Sequence, residues 1–244
     1  MSLNSTQQAA SVEAAQNEDI LSQLEDAKIE WPKGSNKYFF PADCLETIVN
    51  RNSVRTELGN LFPRLDSREL NKHVDTIFNS TPAIGVFITV LRTRKTSILE
   101  ILDEGLTDLD LPLERHQLTT YPDDDNPPFV LFCSKDHTKH CVDKGEYHTT
   151  CKITSVLAMS NWPRKQIEKF DAIQWRVKAP VFQKSQQGKI QHINLHKNIV
   201  MPYVKDYRLE RQPDAGGYSE VWAVIIHPAN QSVYKRGGRQ VGVS

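Results

Sequence analysis

Apolar residues recur at the spacing of a helix face through most of the chain. In "DSRELNKHVDTIF", Leu70, His73, Val74, Ile77 and Phe78 share one face, and Asp66 with Glu69 forms a capping pair ahead of them. "PADCLETIVNRNSVRTELGNLF" places Leu45, Ile48 and Val49 on one stripe and Val54, Leu58, Leu61 and Phe62 on another, again helical. "PAIGVFITVLRT" is apolar nearly all round, which fits a buried helix or a strand; Pro82 and the helical neighbours favour helix. "KTSILEILDEGL" carries Ile98, Leu99, Ile101 and Leu102, with Gly105 where a left-handed C-terminal cap belongs. In "NWPRKQIEKFDAIQWRVKAPVF" Asn161 is the candidate cap, Ile167, Phe170 and Ile173 or Gln174 face inward, and Pro180 ends the element.

Other segments lack that period. The first residues are rich in Gln, Ser, Ala and Asn and read as disordered to about Glu18, after which "EDILSQLEDAKIEW" has the pattern of a short helix. "TDLDLPLERHQLTTYPDDDNPP" is acidic and proline-bearing, an irregular connection, and "FVLFC" reads as a short buried strand or a helical turn. "SKDHTKHCVDKGEYHTTCKITS" is polar and loop-like, and "QKSQQGKIQ" is a polar linker. No internal repeat is present.

Near the C-terminal end the period changes to two. In "YRLERQPDAGGYSEVWAVIIHP", Tyr207 and Leu209 alternate with charged residues, two glycines follow, and Val221, Ala223 and Ile225 alternate with Trp222, Val224 and Ile226. That pattern predicts strand, glycine turn, strand. The fold class expected is therefore mainly α: an irregular helical domain, a linker, and a short β-hairpin. The segments are a largely disordered 1–37, a helical domain over 38–182 packed from near Tyr38, a linker at 183–203, the hairpin at 204–234 and a disordered tail at 235–244.

Composition narrows the function. With 30 Lys+Arg against 30 Asp+Glu in 244 residues, the chain offers no electrostatic case for nucleic acid or an anionic membrane. No stretch approaches the roughly 20 apolar residues of a membrane helix, and the N-terminus has neither a basic start nor an apolar core. The four cysteines follow no extracellular framework, so an intracellular location, cytoplasmic or nuclear, with reduced thiols is expected.

Cys133, His137, His140, Cys141, His148 and Cys151 are enough soft and borderline ligands to raise zinc. No CxxC is present, no glycine shapes a knuckle near Cys133, and "FVLFC" gives that cysteine an ordinary reason for burial, so no metal is expected. None of the surroundings resembles a cysteine-nucleophile motif with His137 or His140 as base. In "HINLH", His192 and His196 stand four apart without the Glu of a zinc-enzyme helix.

The glycine turn can approach phosphates through backbone N–H groups, with Val221 against an adenine. Set on the kinase Gly-rich pattern, Asp214 stands at the first glycine, Gly216 at the second, Tyr218 at the aromatic tip, Ser219 at the third and Val221 at the valine. "GGYSEVWAVIIHP", together with upstream "DEGLTDLDLPL", "NWPRKQIEKFDAIQWRVKAPVF" and "NLHKNIVMPYV", resembles the fungal protein kinase-like proteins with a long helical N-terminal region. The resemblance implies a helical regulatory or interaction domain, then the start of a kinase domain that breaks off just after its Gly-rich loop. It assigns Gly216, Gly217, Tyr218, Ser219 and Val221 to ATP. ATP and Mg²⁺ follow from the resemblance alone, and no stably bound cofactor is expected.

HRD and DFG are absent, and Lys235 is the one candidate for the strand-three lysine, in a Gly- and Arg-rich setting. No catalytic residue is assigned, and the chain as it stands is expected to be inactive. A protein partner is expected on the helical domain. The alternative is a helical adaptor with no nucleotide-related role.

Overall fold

A computed structural model describes residues 19–117, 129–132, 156–183, 195–206, 214–216, 219–231 and 241–243. The protein is mainly α, as the apolar periodicity predicts. Helix α1 (Ile20–Ala27) starts at Asp19, whose carboxylate accepts from Ser22 N at 2.7 Å. A paired β1 (Ile29–Glu30) and β2 (Tyr38–Phe39) lead into α2 (Ala42–Ile48) and α3 (Arg51–Leu61). Asn50 divides those two helices: its side chain accepts from Asn52 and Ser53 N–H while Ser53 Oγ accepts from Asn50 N. This reciprocal cap is why one apolar stretch becomes two stripes.

Helix α4 (Ser67–Ile77) is capped by Asp66, which accepts from the Arg68 and Glu69 N–H groups, and it buries His73, Val74 and Ile77 on the expected face. The ambiguous apolar stretch is helix α5 (Ile84–Arg94), buried from Gly85 to Leu91. After a 3₁₀ turn at Lys95–Ser97, α6 (Ile98–Asp103) ends near Gly105, which has φ +83° in the left-handed region expected of it.

Helix α7 (Arg164–Val177) runs antiparallel to α5: Arg94 Nη1 reaches Gln166 Oε1 at one end, and Gly85 lies against Val177 at the other. Its cap position is Pro163, not Asn161. A 3₁₀ turn at Leu157–Met159 accounts for the difference, because Ser160 and Trp162 N–H bond back to Leu157 and Met159 carbonyls and draw Asn161 into that turn. Ile167, Phe170, Ile173 and Gln174 all face the core.

The core holds Phe40, Phe87 and Phe170 with Leu58, Ile77, Ile101 and Leu113. It begins earlier than the expected Tyr38, since Ile20 and Leu24 on α1 are 2% and 0% exposed. The acidic connection is also less irregular than its prolines suggest. Leu111 and Leu113 are both buried, and β3 (Glu114–Gln117) pairs antiparallel with β4 (Phe129–Phe132), Glu114 opposite Phe132. "FVLF" is thus a strand.

A small antiparallel sheet follows: β5 (Tyr203–Asp206), β6 (Asp214–Gly216), β7 (Ser219–Ile226) and β8 (Val241–Val243). Strand β7 is central; Val224 pairs with Asp206 on one side and Val241 on the other. The tail expected to be disordered therefore contributes an edge strand, its Val-Gly-Val drawn onto the apolar β7. Tyr207 and Leu209 lie outside the described residues, as does the segment before Asp19.

Candidate functional site

The predicted glycine turn is a hairpin of defined register. Asp214 pairs with Val221, Ala215 with Glu220 and Gly216 with Ser219, leaving Gly217 and Tyr218 as a two-residue connection. Of the five candidate nucleotide residues, Gly216, Ser219 and Val221 are thus brought onto paired strands, while Gly217 and Tyr218 lie outside the described residues. Strand β8 presents Val241, Gly242 and Val243 opposite Val224, Ala223 and Trp222 and carries no cation. Lys235 lies outside the described residues.

The far end of β7 is fixed to the helical body. His227 donates its backbone N–H to Pro202 O at 2.8 Å, and its Nδ1 accepts from Ala229 N at 3.2 Å, capping a 3₁₀ turn at Pro228–Asn230. Phe182 N donates to Asn230 O at 2.8 Å, and Asn230 Nδ2 donates to Pro180 O at 3.3 Å, tying the turn to the chain leaving α7. The Phe39 ring of β2 meets the His227 ring edge to face, with centroids 6.0 Å apart. Burial lowers the His227 pKa below its ordinary value, and the Asp43 carboxylate on α2 opposes that shift.

The remaining chemical candidates divide. Cys133, His137, His140, Cys141, His148, Cys151 and His192 lie outside the described residues. Among the described residues no three His, Cys, Asp or Glu side chains gather as metal ligands would. Cys44 is a free thiol whose pKa is raised by burial and by Asp43, the opposite of an activated nucleophile. His196 stacks on Trp175, ring centroids 4.3 Å apart and 12° from parallel, while its Nδ1 accepts from Asn198 N. A cleft of about 520 Å³ lies between the end of α5 and the Leu157–Met159 turn, bordered by Arg94, Glu100, Glu104 and Trp162. Its Glu104 carboxylate is already engaged, accepting from Leu157 N and Ala158 N.

One constellation has no trace in local sequence. Lys28, Arg92 and Arg176 bring their charged groups to 5.3, 5.7 and 4.2 Å from the centroid of the Tyr38 ring. Glu25 accepts from Lys28 and, at 2.9 Å, from Arg92 Nη2, which also donates to Tyr38 Oη at 3.2 Å. These five residues come from α1's end, β2, α5 and α7, so no spacing along the chain announces them.

Helices and hairpin together define a mainly α protein with a small antiparallel sheet rooted on its helical body. The chain matches no protein-family model, no curated protein and no solved structure. No helix among the described residues is long and apolar enough to cross a membrane.

Proposed function

We propose that the chain is a helical regulatory and interaction domain joined to the first hairpin of a kinase-like domain, and that these 244 residues do not themselves transfer phosphate. The observation that supports this reading is the pairing of Gly216 with Ser219 and of Asp214 with Val221, which places the residues on either side of the glycine turn on neighbouring antiparallel strands. A backbone turn of that kind suits phosphate oxygens, whereas transfer needs a lysine, a metal-binding acid and a base that the sequence does not supply as motifs. The full chain incubated with Mg-ATP is expected to phosphorylate neither itself nor a general substrate. A robust signal abolished by replacing Gly216 and Gly217 with bulky residues would overturn the proposal.

A second reading, an adaptor whose hairpin serves only as packing, draws support from the contact of Phe39 with His227. The backbone amide signals of Gly216 and Ser219 separate the two. Shifts that saturate with ATP favour the kinase-like hairpin, and their absence favours the adaptor.

A further inference from the structure

We propose that Lys28, Arg92 and Arg176 form a binding site for a phosphate group on the helical body. The proposal goes beyond the kinase-like reading and does not depend on it.

Three cationic heads lie within 5.7 Å of the Tyr38 ring centre, Arg92 also over Phe40 at 5.4 Å, yet among the described residues a single carboxylate, Glu25, answers them, serving both Lys28 and Arg92. Arg176 makes no ion pair with the described residues; its guanidinium lies against the face of Tyr38. Among the described residues two of these three positive charges are therefore unmatched by a carboxylate. Arg92 and Arg176 each sit in the last turn of a helix, where a cation suits the helix dipole. That preference explains each arginine separately and not their convergence with Lys28. The Tyr38 ring attracts each head through its π face, and a bound dianion would supply the anionic partner that Glu25 alone does not.

The donors suit a phosphate. Two guanidinium groups offer planar forks and Lys28 a compact ammonium, the combination that recognises tetrahedral oxyanions. Tyr38 Oη already accepts from Arg92, so its own proton is available to donate. The side chains of Arg92 and Lys28 are 15% and 33% exposed, enough to admit an oxyanion while keeping the heads partly desolvated.

A phosphate group reaches such a site either as the free ion or on a phosphorylated protein segment. Calorimetric titration of the full chain with inorganic phosphate, with a phosphoserine peptide and with its unphosphorylated counterpart tests the site and separates the sources. Saturable binding of phosphate or the phosphopeptide is expected, weakened about tenfold or more in Arg176→Gln with the unfolding midpoint retained. Tighter binding of the phosphopeptide than of free phosphate identifies a phosphoprotein; equal affinity identifies the free ion. A cation stack with a purely structural role would be indifferent to phosphate. Absence of saturable binding to either ligand, or affinity unchanged by Arg176→Gln, overturns the proposal. Should Arg176→Gln lose its fold, Lys28→Gln takes its place, with weakened binding expected and unchanged affinity overturning the site.

Discussion

Phe39 and His227 meet edge to face at 6.0 Å, joining a two-residue strand of the helical body to the end of the central strand of the sheet. Phe39 is fully buried, although outside the main hydrophobic cluster, so the contact is made in the interior rather than as a surface touch. The hairpin is thus held at its root, through Phe39 and the bonds of Asn230 with Phe182 N and Pro180 O, while its glycine turn lies at the opposite end of β7.

Removing the Phe39 ring tests that anchor. Phe39→Ala is expected to cost about 3–5 kcal/mol in urea unfolding of the full chain, through lost burial and the cavity left behind. Phe39→Leu fills most of the space and is expected to cost less. A loss below about 1 kcal/mol for the alanine variant would show that the hairpin root is not part of the cooperative core.

The His227 imidazole provides a pH handle on the same junction. Its Nδ1 accepts from Ala229 N, which requires that nitrogen to be unprotonated, and burial lowers its pKa below the ordinary 6.5. The unfolded chain therefore binds the proton first as pH falls. Stability from this group is complete above 6.5 and is lost as pH drops through the lowered folded value. The urea midpoint is expected to fall on going from about pH 8 to 5. His227→Asn keeps an acceptor oxygen near the Nδ1 position and is expected to flatten that part of the profile. An equal slope in both proteins would remove His227 from the account.

The parts legible in the sequence are those where period and capping coincide. Asp66 ahead of His73, Val74 and Ile77, and Gly105 after Leu102, fix their helices by local rules alone. Asn161 misleads because a preceding 3₁₀ turn uses it, a competition between two local structures that composition does not weigh. The strand at Glu114–Gln117 is hidden because its partner lies beyond an acidic, proline-bearing stretch, so only long-range pairing reveals it. The glycine hairpin is legible from its turn and alternation, but its fixation by Phe39 is not. The convergence of Lys28, Arg92 and Arg176 on Tyr38 depends on how α1, β2, α5 and α7 pack together and has no local signal.

That helix pair depends on Gly85 and Asp108. A Cβ at position 85 would stand 3.1 Å from Asp108 Oδ1 and 3.3 Å from Val177 Cγ1, and neither neighbour is free to move. Asp108 Oδ1 accepts from Val86 N at 2.9 Å, giving α5 the cap that Ala83 does not supply, while Val177 is buried. Gly85→Ala, which ordinarily favours a helix, is therefore expected to destabilise by about 1–3 kcal/mol. Asp108→Ala is expected to cost about 1–2 kcal/mol through loss of the cap. The double variant should lose less than the sum, because the alanine at 108 removes Oδ1 and Cγ, two of the three atoms nearest the new methyl. Chemical denaturation of the four proteins gives the cycle, and strict additivity would refute the steric account.

Gln174 offers the sharpest test of how the β3 segment is held. Its Oε1 accepts from Leu113 N at 2.8 Å and its Nε2 donates to Leu113 O at 3.1 Å, so one amide satisfies both backbone groups of a residue only 1% exposed. The same Nε2 also donates to Asp171 Oδ1 at 2.9 Å. Gln174→Leu matches the apolar core in character but leaves the Leu113 N–H and carbonyl without those partners. A cost of about 2 kcal/mol or more follows from two unsatisfied backbone groups. Gln174→Glu keeps an acceptor for Leu113 N but cannot donate to the carbonyl, and it places a second carboxylate beside Asp171. It is therefore expected to be the worse of the two at neutral pH and to recover as the pH is lowered, because the protonated acid regains a donor. Urea midpoints of both variants against pH decide it: a leucine variant as stable as the parent would show that the amide bridge contributes nothing.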